Sequence, residues 1–360
     1  MEEVFDAFVT VTPSWERPAN SANDNFGRSA GGPGRPDSHV AVGELSSLAV
    51  VMEAPERLSL TRLELTEPTD TDCIVDIEWS GISTGTERLL WSGRMPPFPG
   101  MGYPLVPGYE SVGIVRQAGA KSDRRDGDRV FVPGANCYRT ARGLFGGASQ
   151  SLVVAGPRVL SCPTALAEQG VLISLAATAY HALYPNGSQG GVLPGLIVGH
   201  GVLGRLLARL MLAADGAAQP TVWEIEPVRM TGADGYAVVH PDQDPRRDYH
   251  CICDVSGDAS ILDALVQRLA PGGEIVLAGF YDKLSLSFAP AFMREVRLRI
   301  AAQFLPRDLE AVMALIASGR LSLDGLVTHQ ASPLDASGAY QTAFTDPSCL
   351  KMVLDWRKLS

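Results

Sequence analysis

The sequence predicts an α/β protein built from two units: a barrel of short β-strands and a doubly wound, mostly parallel sheet. Three observations carry that expectation. Up to about Gly170 the chain runs as short apolar segments cut by Gly, Pro and Asp, the pattern of an all-β barrel. Beyond it, apolar strands alternate with stretches of helical period, which indicates a parallel sheet covered on both faces. One strand-to-helix junction, "LIVGHGVLG", spaces its glycines as G-x-G-x-x-G. With 360 residues the chain is also too long for one ordinary core.

Taken in order, residues 1–45 are expected to be a disordered extension. The stretch "PSWERPANSANDNFGRSAGGPGRPDSHVAVG" has no period and cannot bury enough apolar surface to offset its ordering entropy. A misassigned start codon is an equal alternative. "SSLAVVMEAPERLSLTRLEL" reads as a hairpin. In "DCIVDIEWSGIS", Val75, Ile77 and Trp79 face one way and Asp76, Glu78 and Ser80 the other. "ESVGIVRQAG", "GDRVFVPG" and "GASQSLVVAGPRVLSCP" supply further short strands. "AEQGVLISLAATAYHALY" is apolar at helical spacing, "TVWEIEP" and "HCICDVSG" are strands, and "SILDALVQRLA" is a helix stopped by "PGG" before the strand "EIVLAGF". The parallel-sheet unit is therefore assigned to 171–303. A helix "RDLEAVMALIASG" and the segment ending "CLKMVLDW" complete the chain.

Composition excludes several classes of function. A net charge of −10 repels phosphate backbones and argues against nucleic-acid binding. The N-terminus lacks the apolar core of a signal peptide. No apolar run reaches the ~18 residues of a transmembrane helix. The six cysteines include no Cys-x-x-Cys, so a four-cysteine zinc lobe is hard to build, and a reducing cytoplasm is the expected compartment.

The glycine junction carries the clearest chemistry. Gly199 permits a tight turn after the strand Leu196–Val198, Gly201 lets backbone N–H groups reach a pyrophosphate, and Gly204 allows the following helix to pack on the sheet. Val202 and Leu203 open that helix, which is expected to bury Leu203, Leu206, Leu207, Leu210 and Met211 on one side and whose N-terminus favours negative charge. This is the fingerprint of a Rossmann unit. An acid is expected about 20 residues on, at the end of the second strand. Glu224 stands there, with Glu226 as a second choice. Such a carboxylate accepts ribose hydroxyls and repels a 2′-phosphate, which favours NAD over NADP, although Arg229 could tolerate the phosphate. Thr178 and Gly279 complete the expected cofactor set. His200 is either an exposed loop residue or a phosphate contact.

On "GISTGTE", "VPGYESVGIV", "GDRVFV", "GGASQSLVV", "TAYHAL" and "VGHGVLG", the chain resembles the medium-chain dehydrogenase/reductase family. The resemblance implies a β-rich GroES-like catalytic domain, 46–170 and 304–360, with a Rossmann NAD-binding domain, 171–303, inserted in it. It also implies a homo-oligomer. Zinc-dependent members carry a cysteine, a histidine and a second cysteine where this chain has Ser83, Tyr109 and Ser174. Hydroxyls are poor zinc ligands beside thiolate and imidazole, so no metal is expected. The blocks Trp79 to Gly113 and Arg142 to Ser149 are similar to the branch of that family acting on bacteriochlorophyllides. They imply NAD-dependent oxidation of a 3-(1-hydroxyethyl) group to 3-acetyl, in the cytoplasm or at the periphery of photosynthetic membranes. The tetrapyrrole substrate would carry its own Mg.

Alcohol oxidation requires hydride transfer and removal of the hydroxyl proton. Without zinc, Tyr109 is expected to approach the alcohol, with Ser83, Thr84 or Thr86 passing the proton outward. Glu110 and Glu87 are either structural supports or second proton acceptors. A merely space-filling Tyr109 is the alternative. His181, on an apolar helix, reads as a core histidine. Trp91, Met95, Phe98, Met101 and Tyr103 in "LLWSGRMPPFPGMGYP" are expected to meet the macrocycle, with Arg88 or Arg94 near its propionate. Two rival functions stay open: a zinc-free quinone or enone reductase, and a non-catalytic nucleotide-binding protein.

Overall fold

A computed structural model describes residues 45–97, 100–187, 192–214, 219–281, 283–302 and 304–359. The expected extension thus lies outside the described residues except at Leu45, whose carbonyl accepts from Leu65 N.

The first strands are β1 (Ser46–Ala54), β2 (Arg57–Glu64) and β3 (Asp72–Ile82). β1 and β2 form the expected hairpin, with Glu56 at φ +60° in the turn. A short helix, α1 (Thr86–Trp91), precedes β4 (Leu105–Val106), β5 (Ser111–Ala118), β6 (Arg129–Val132), β7 (Arg142–Gly143), β8 (Ser151–Ala155) and β9 (Leu160–Ser161). Next come α2 (Ile173–Leu183), β10 (Leu196–Val198), α3 (Val202–Ala213), β11 (Thr221–Trp223), β12 (Ala237–Val239) and β13 (Tyr249–Asp254). After α4 (Leu262–Val266), β14 (Leu269–Leu277), α5 (Phe288–Met293) and β15 (Arg297–Ile300), the chain ends with α6 (Pro306–Ala317), β16 (His329–Ala331), α7 (Ala336–Thr345) and β17 (Met352–Asp355).

Strands β10 to β15 form a six-stranded sheet in the order β12-β11-β10-β13-β14-β15, and every pairing in it is parallel. The order reverses between β10 and β13. Ligands of doubly wound sheets bind at such a switch point, outside the carboxyl ends of the strands. The glycine junction follows β10 there.

The barrel strands divide between a four-stranded and a seven-stranded sheet. The closing strand β17 pairs antiparallel with β3, Val353 opposite Gly81, so the end of the chain returns to the first sheet. This return covers the end of β3. There the predicted alternation stops, because Trp79, Ser80, Gly81 and Ile82 are all buried.

One apolar core fills the barrel around Val50, Leu105, Val130 and Leu152. A second joins Trp79, Val112 and Phe131 of the seven-stranded sheet to Ile173 of α2, Ile197 of β10 and Leu206 of α3. The cleft between the two halves therefore has a continuous hydrophobic floor, which holds its walls in fixed relation.

Two elements differ from expectation. The helix read from "SILDALVQRLA" is confined to Leu262–Val266, and β14 already begins at Leu269. Tyr249 N donates to Arg268 O, and the Arg268 guanidinium donates to Pro241 O, so sheet contacts take up the residues a longer helix would need. Leu203 is only partly buried and faces the cleft, unlike Leu206, Leu207, Leu210 and Met211, which α3 buries fully. Among the described residues no helix is long and apolar enough to cross a membrane.

Candidate active site

The glycine turn has the geometry its spacing demands. Gly199 sits at φ +103°, a conformation that disfavours side chains, and its N–H donates to Trp223 O at 2.8 Å. A Cβ on Gly204 would collide with the Gly199 carbonyl oxygen, so only glycine lets α3 start this close to β10. A Cβ on Gly201 would meet nothing within 4 Å. That open space lies at the N-terminus of α3, where the first N–H groups lack intrahelical partners. It is a cradle shaped for a phosphate group.

Glu224, buried just past β11, is tied to this turn. Its Oε2 accepts from His200 N at 2.9 Å, and its Oε1 accepts from Ile225 N and Glu226 N at 2.8 and 2.9 Å. Oε1 thus uses both of its acceptor sites and Oε2 keeps one, and Glu224 lines the cleft wall with Gly199, Gly201 and Val202. Thr178 and Gly279 line the same cleft. These residues fit a dinucleotide whose pyrophosphate rests on the turn and whose ribose meets Glu224.

His200 fits neither expectation for it. It is fully buried, with Nδ1 2.6 Å from Arg229 O and Nε2 2.7 Å from Tyr236 OH. A carbonyl only accepts, so Nδ1 carries the proton and Nε2 accepts from the tyrosine. Burial pushes the imidazole down to about 4, against the opposing pull of the Arg229 carbonyl. Arg205, also buried, donates to the carbonyls of His200, Arg229, Thr231 and Gly232. Neither Arg205 nor Tyr236 was legible as a site residue. The first of two arginines inside the apolar run "VLGRLLARLML" was the available signal.

Across the cleft, the Tyr109 hydroxyl and Ser83 Oγ lie 2.7 Å apart, and Ser83, Thr84, Thr86 and Tyr109 all line the wall. The Phe145 ring packs edge-on against Tyr109 at 5.3 Å. Burial, and then the Glu110 charge, raises the Tyr109 phenol well above its ordinary value, beyond what its bonds to Ser83 and Thr86 restore. Tyr109 is therefore a neutral hydroxyl. Ser174 Oγ is buried without a hydrogen-bond partner among the described residues. Among the described residues no three His, Cys, Asp or Glu side chains converge as metal ligands. Neutral hydroxyls, two of them spent on each other, do not fit zinc, and no step below runs through a metal.

Behind the hydroxyls lies a buried acid–base layer. Glu110 is fully buried and its Oε2 accepts from Lys351 Nζ at 2.6 Å. The same ammonium donates to Ile82 O at 3.2 Å. Glu110 does not line the cleft, which corrects its expected place among the reacting groups: the return of the chain through Lys351 claims its carboxylate. Burial pushes Glu110 up, and Lys351 pulls it back. Glu87 accepts from Tyr340 OH at 2.7 Å and is raised by burial to about 8. Lys351 and Tyr340 are invisible to local motifs, although a lone lysine in "CLKMVLDW" marked a place to look.

The aromatic loop also departs from expectation. Met95 is buried in the barrel core, Trp91, Met101 and Tyr103 pack against it, and Tyr103 OH donates to Leu90 O. None of the four lines the cleft; apolar burial against the barrel outweighs exposure on its wall. Phe98 lies outside the described residues. The apolar wall is built instead from Leu89, Leu144, Phe145, Phe280 and Phe304. Arg88 and Arg94 do line it. His181 Nδ1 bonds to the buried Asp308 at 2.9 Å, and Asp308 also accepts from Leu305 N, so the pair fastens α2 to the start of α6.

Residues 69–175 match the model of the alcohol dehydrogenase GroES-like domain. The chain is 57% identical over 315 residues to the 2-desacetyl-2-hydroxyethyl bacteriochlorophyllide A dehydrogenase of Rhodobacter capsulatus, covering 87% of this chain and 99% of that protein. It is 53% identical over 319 residues to the protein of the same name from Cereibacter sphaeroides, with the same coverage. Among solved structures, the L-idonate 5-dehydrogenase of Escherichia coli shares the fold at a TM-score of 0.74 and 18% identity, over 87% of this chain and 99% of that one. An Escherichia coli alcohol dehydrogenase solved with NADH does so at 0.72 and 21%, over 86% and 99%. The identity to the first two relatives spans nearly their whole length, and the chain belongs to the medium-chain dehydrogenase family of the 2-desacetyl-2-hydroxyethyl bacteriochlorophyllide A dehydrogenases.

Proposed function

We propose that this protein oxidises the hydroxyethyl side chain of a 2-desacetyl-2-hydroxyethyl bacteriochlorophyllide to an acetyl group, using NAD⁺, in bacteriochlorophyll biosynthesis. The position is C3 in the alternative numbering of the macrocycle. The observation that carries the substrate is the identity of 57% over 99% of a relative bearing that name. The site supplies chemistry of the matching kind.

The alcohol carbon gives up a hydride and its oxygen gives up a proton. Bound NAD⁺ accepts the hydride. The chain's own residues do the rest. The N–H groups of Val202 and Leu203 hold the pyrophosphate over the space left by Gly201, and Glu224 accepts the ribose hydroxyls. Its negative charge in the position a 2′-phosphate would need selects NAD. The cleft, about 2670 Å³, exceeds the roughly 300–1,000 Å³ of a pocket for one small molecule and leaves room for a macrocycle beside the dinucleotide. Leu89, Leu144 and Phe145 offer the ring an apolar wall.

Tyr109 acts as a neutral relay. Burial and the Glu110 charge disfavour a standing phenolate, so it takes the alcohol proton as its own proton passes to Ser83. Thr84 and Thr86, on the same wall, continue the path to solvent. Glu110 supports this layer from behind through Lys351 and does not meet the substrate.

The decisive assay supplies 3-(1-hydroxyethyl) bacteriochlorophyllide a and NAD⁺ to the purified protein and follows the absorption red-shift as the new carbonyl conjugates with the ring. A shift stoichiometric with NADH is expected. No shift, together with NADPH-dependent quinone reduction, would reverse the assignment.

A further inference from the structure

The rim of the cleft carries positive charge that no acid among the described residues answers. Arg88 of α1, Arg94 just beyond it, and Arg142 of β7 all line the cleft and are all exposed. Among the described residues the Arg88 and Arg142 side chains have no hydrogen-bond or ion-pair partner, and Arg94 donates only to Ser92 Oγ, at 3.1 Å. This is unexpected in a chain with 40 acids and 30 basic side chains. Other arginines are engaged within the chain: Arg129 pairs with Glu78 at 2.8 Å, and Arg205 is spent on four carbonyls, while Arg158 Nε is buried without a partner among the described residues.

Local structure holds the rim in shape. Tyr103 OH ties the loop after α1 back to Leu90 O, and Arg142 N donates to Pro104 O at 3.0 Å, so one short segment links Arg94 to Arg142. The Arg142 guanidinium lies against Gly102, where any Cβ would collide with it. Gly102 adopts φ +154°, and its missing side chain is the space the guanidinium uses. The apolar wall continues from these cations inward to Tyr109 through Leu89, Leu144 and Phe145.

We infer that Arg94 and Arg142, flanked by Arg88, form a carboxylate subsite that selects the free-acid form of the tetrapyrrole and sets its register in the cleft. This rests on the reaction proposed above. A bacteriochlorophyllide carries a free propionate at the edge of its ring, away from the carbon oxidised. Guanidinium forks match carboxylates in shape and charge, and among the described residues no carboxylate pairs with either arginine. With the acid held at the rim and the ring on the apolar wall, the hydroxyethyl group is directed to the Tyr109–Ser83 hydroxyl pair farther along that wall.

The test compares the natural acid with its propionamide, which removes the charge at nearly constant size, in the holoenzyme with saturating NAD⁺. A charge-assisted bond of this kind is worth about tenfold or more, so kcat/KM for the acid should exceed that for the amide by at least ~10-fold, mainly through KM. In the Arg94→Gln/Arg142→Gln variant the preference should fall to near unity, while NADH binding, read by fluorescence, persists. Equal use of acid and amide by the unaltered enzyme, or a preference that survives in the variant, overturns the subsite and leaves the reaction standing. Turnover of neither form overturns the reaction and the subsite together.

Discussion

The hydroxyls of Tyr109 and Ser83 meet at 2.7 Å across 26 residues of sequence, on the cleft wall beside Thr84 and Thr86. The pair joins the end of β3 to the start of β5 and places two exchangeable protons in line. Tyr109→Phe breaks that line and leaves the glycine turn untouched. Turnover should drop by more than ~10-fold, within the range of lost general acid–base catalysis, with the KM for NAD⁺ within about twofold. Steady-state kinetics decide it. Near-normal turnover would show that the ring only fills space.

Glu224 binds the turn on one side and faces the cleft on the other. Glu224→Gln keeps the size of the group and removes its charge. NAD⁺ affinity should weaken about tenfold, the worth of a bond to a charged acceptor, and discrimination against NADP⁺ should shrink. Titration with both nucleotides reads this out, and unchanged selectivity would remove Glu224 from the ribose.

The Glu110–Lys351 pair is wholly buried. Lys351→Met strands a carboxylate in the interior and should cost about 3–5 kcal/mol. Adding Glu110→Gln should recover much of that loss. Urea unfolding of the two variants checks the pair, and an undiminished single variant would mean that Glu110 finds another partner.

His200 predicts acid sensitivity. Its folded pKa of about 4 lies below its ordinary 6.5. Between those values the unfolded chain binds more protons than the folded one, so stability should fall as pH drops from about 6.5 towards 4. Thermal melts over that range should show a shallower fall in His200→Gln, once its lower starting stability is subtracted. Parallel pH curves would count against this origin.

Glu87 predicts the opposite slope at higher pH. Its folded pKa of about 8 lies above its ordinary 4.5. Here the folded state holds the extra proton, so this stability is complete below about 4.5 and is lost as pH rises through about 8. Glu87→Gln cannot titrate and should flatten the loss. A wild-type melting temperature level from pH 5 to pH 9 would exclude this effect.

Much of the molecule was legible from short stretches of chain. The glycine turn, the acid after the second strand and the hydroxyls of Ser83, Tyr109 and Ser174 all stand in short motifs whose neighbours are close in sequence. Backbone sterics at Gly199 and Gly204 act within six residues, so spacing alone reveals them. The aromatic loop was misread for the converse reason. Its composition suits a ligand and a core equally, and the choice between them is made by what packs against it.

The sequence by itself determined the class of fold, the dinucleotide turn with its acid, and the hydroxyl character of the corner opposite. The tertiary structure decided which of the remaining groups reach that corner. It placed Lys351, 241 residues away, on Glu110 and withdrew that carboxylate from the cleft. It buried His200 under Arg229 and Tyr236, and it turned Trp91, Met95 and Tyr103 into the barrel. Each of these outcomes rests on burial, and burial is set by the return of β17 to β3 and by the packing of the two sheets across one floor. A local pattern specifies which groups a segment offers; only the packed chain removes water from some of them and leaves the others to act.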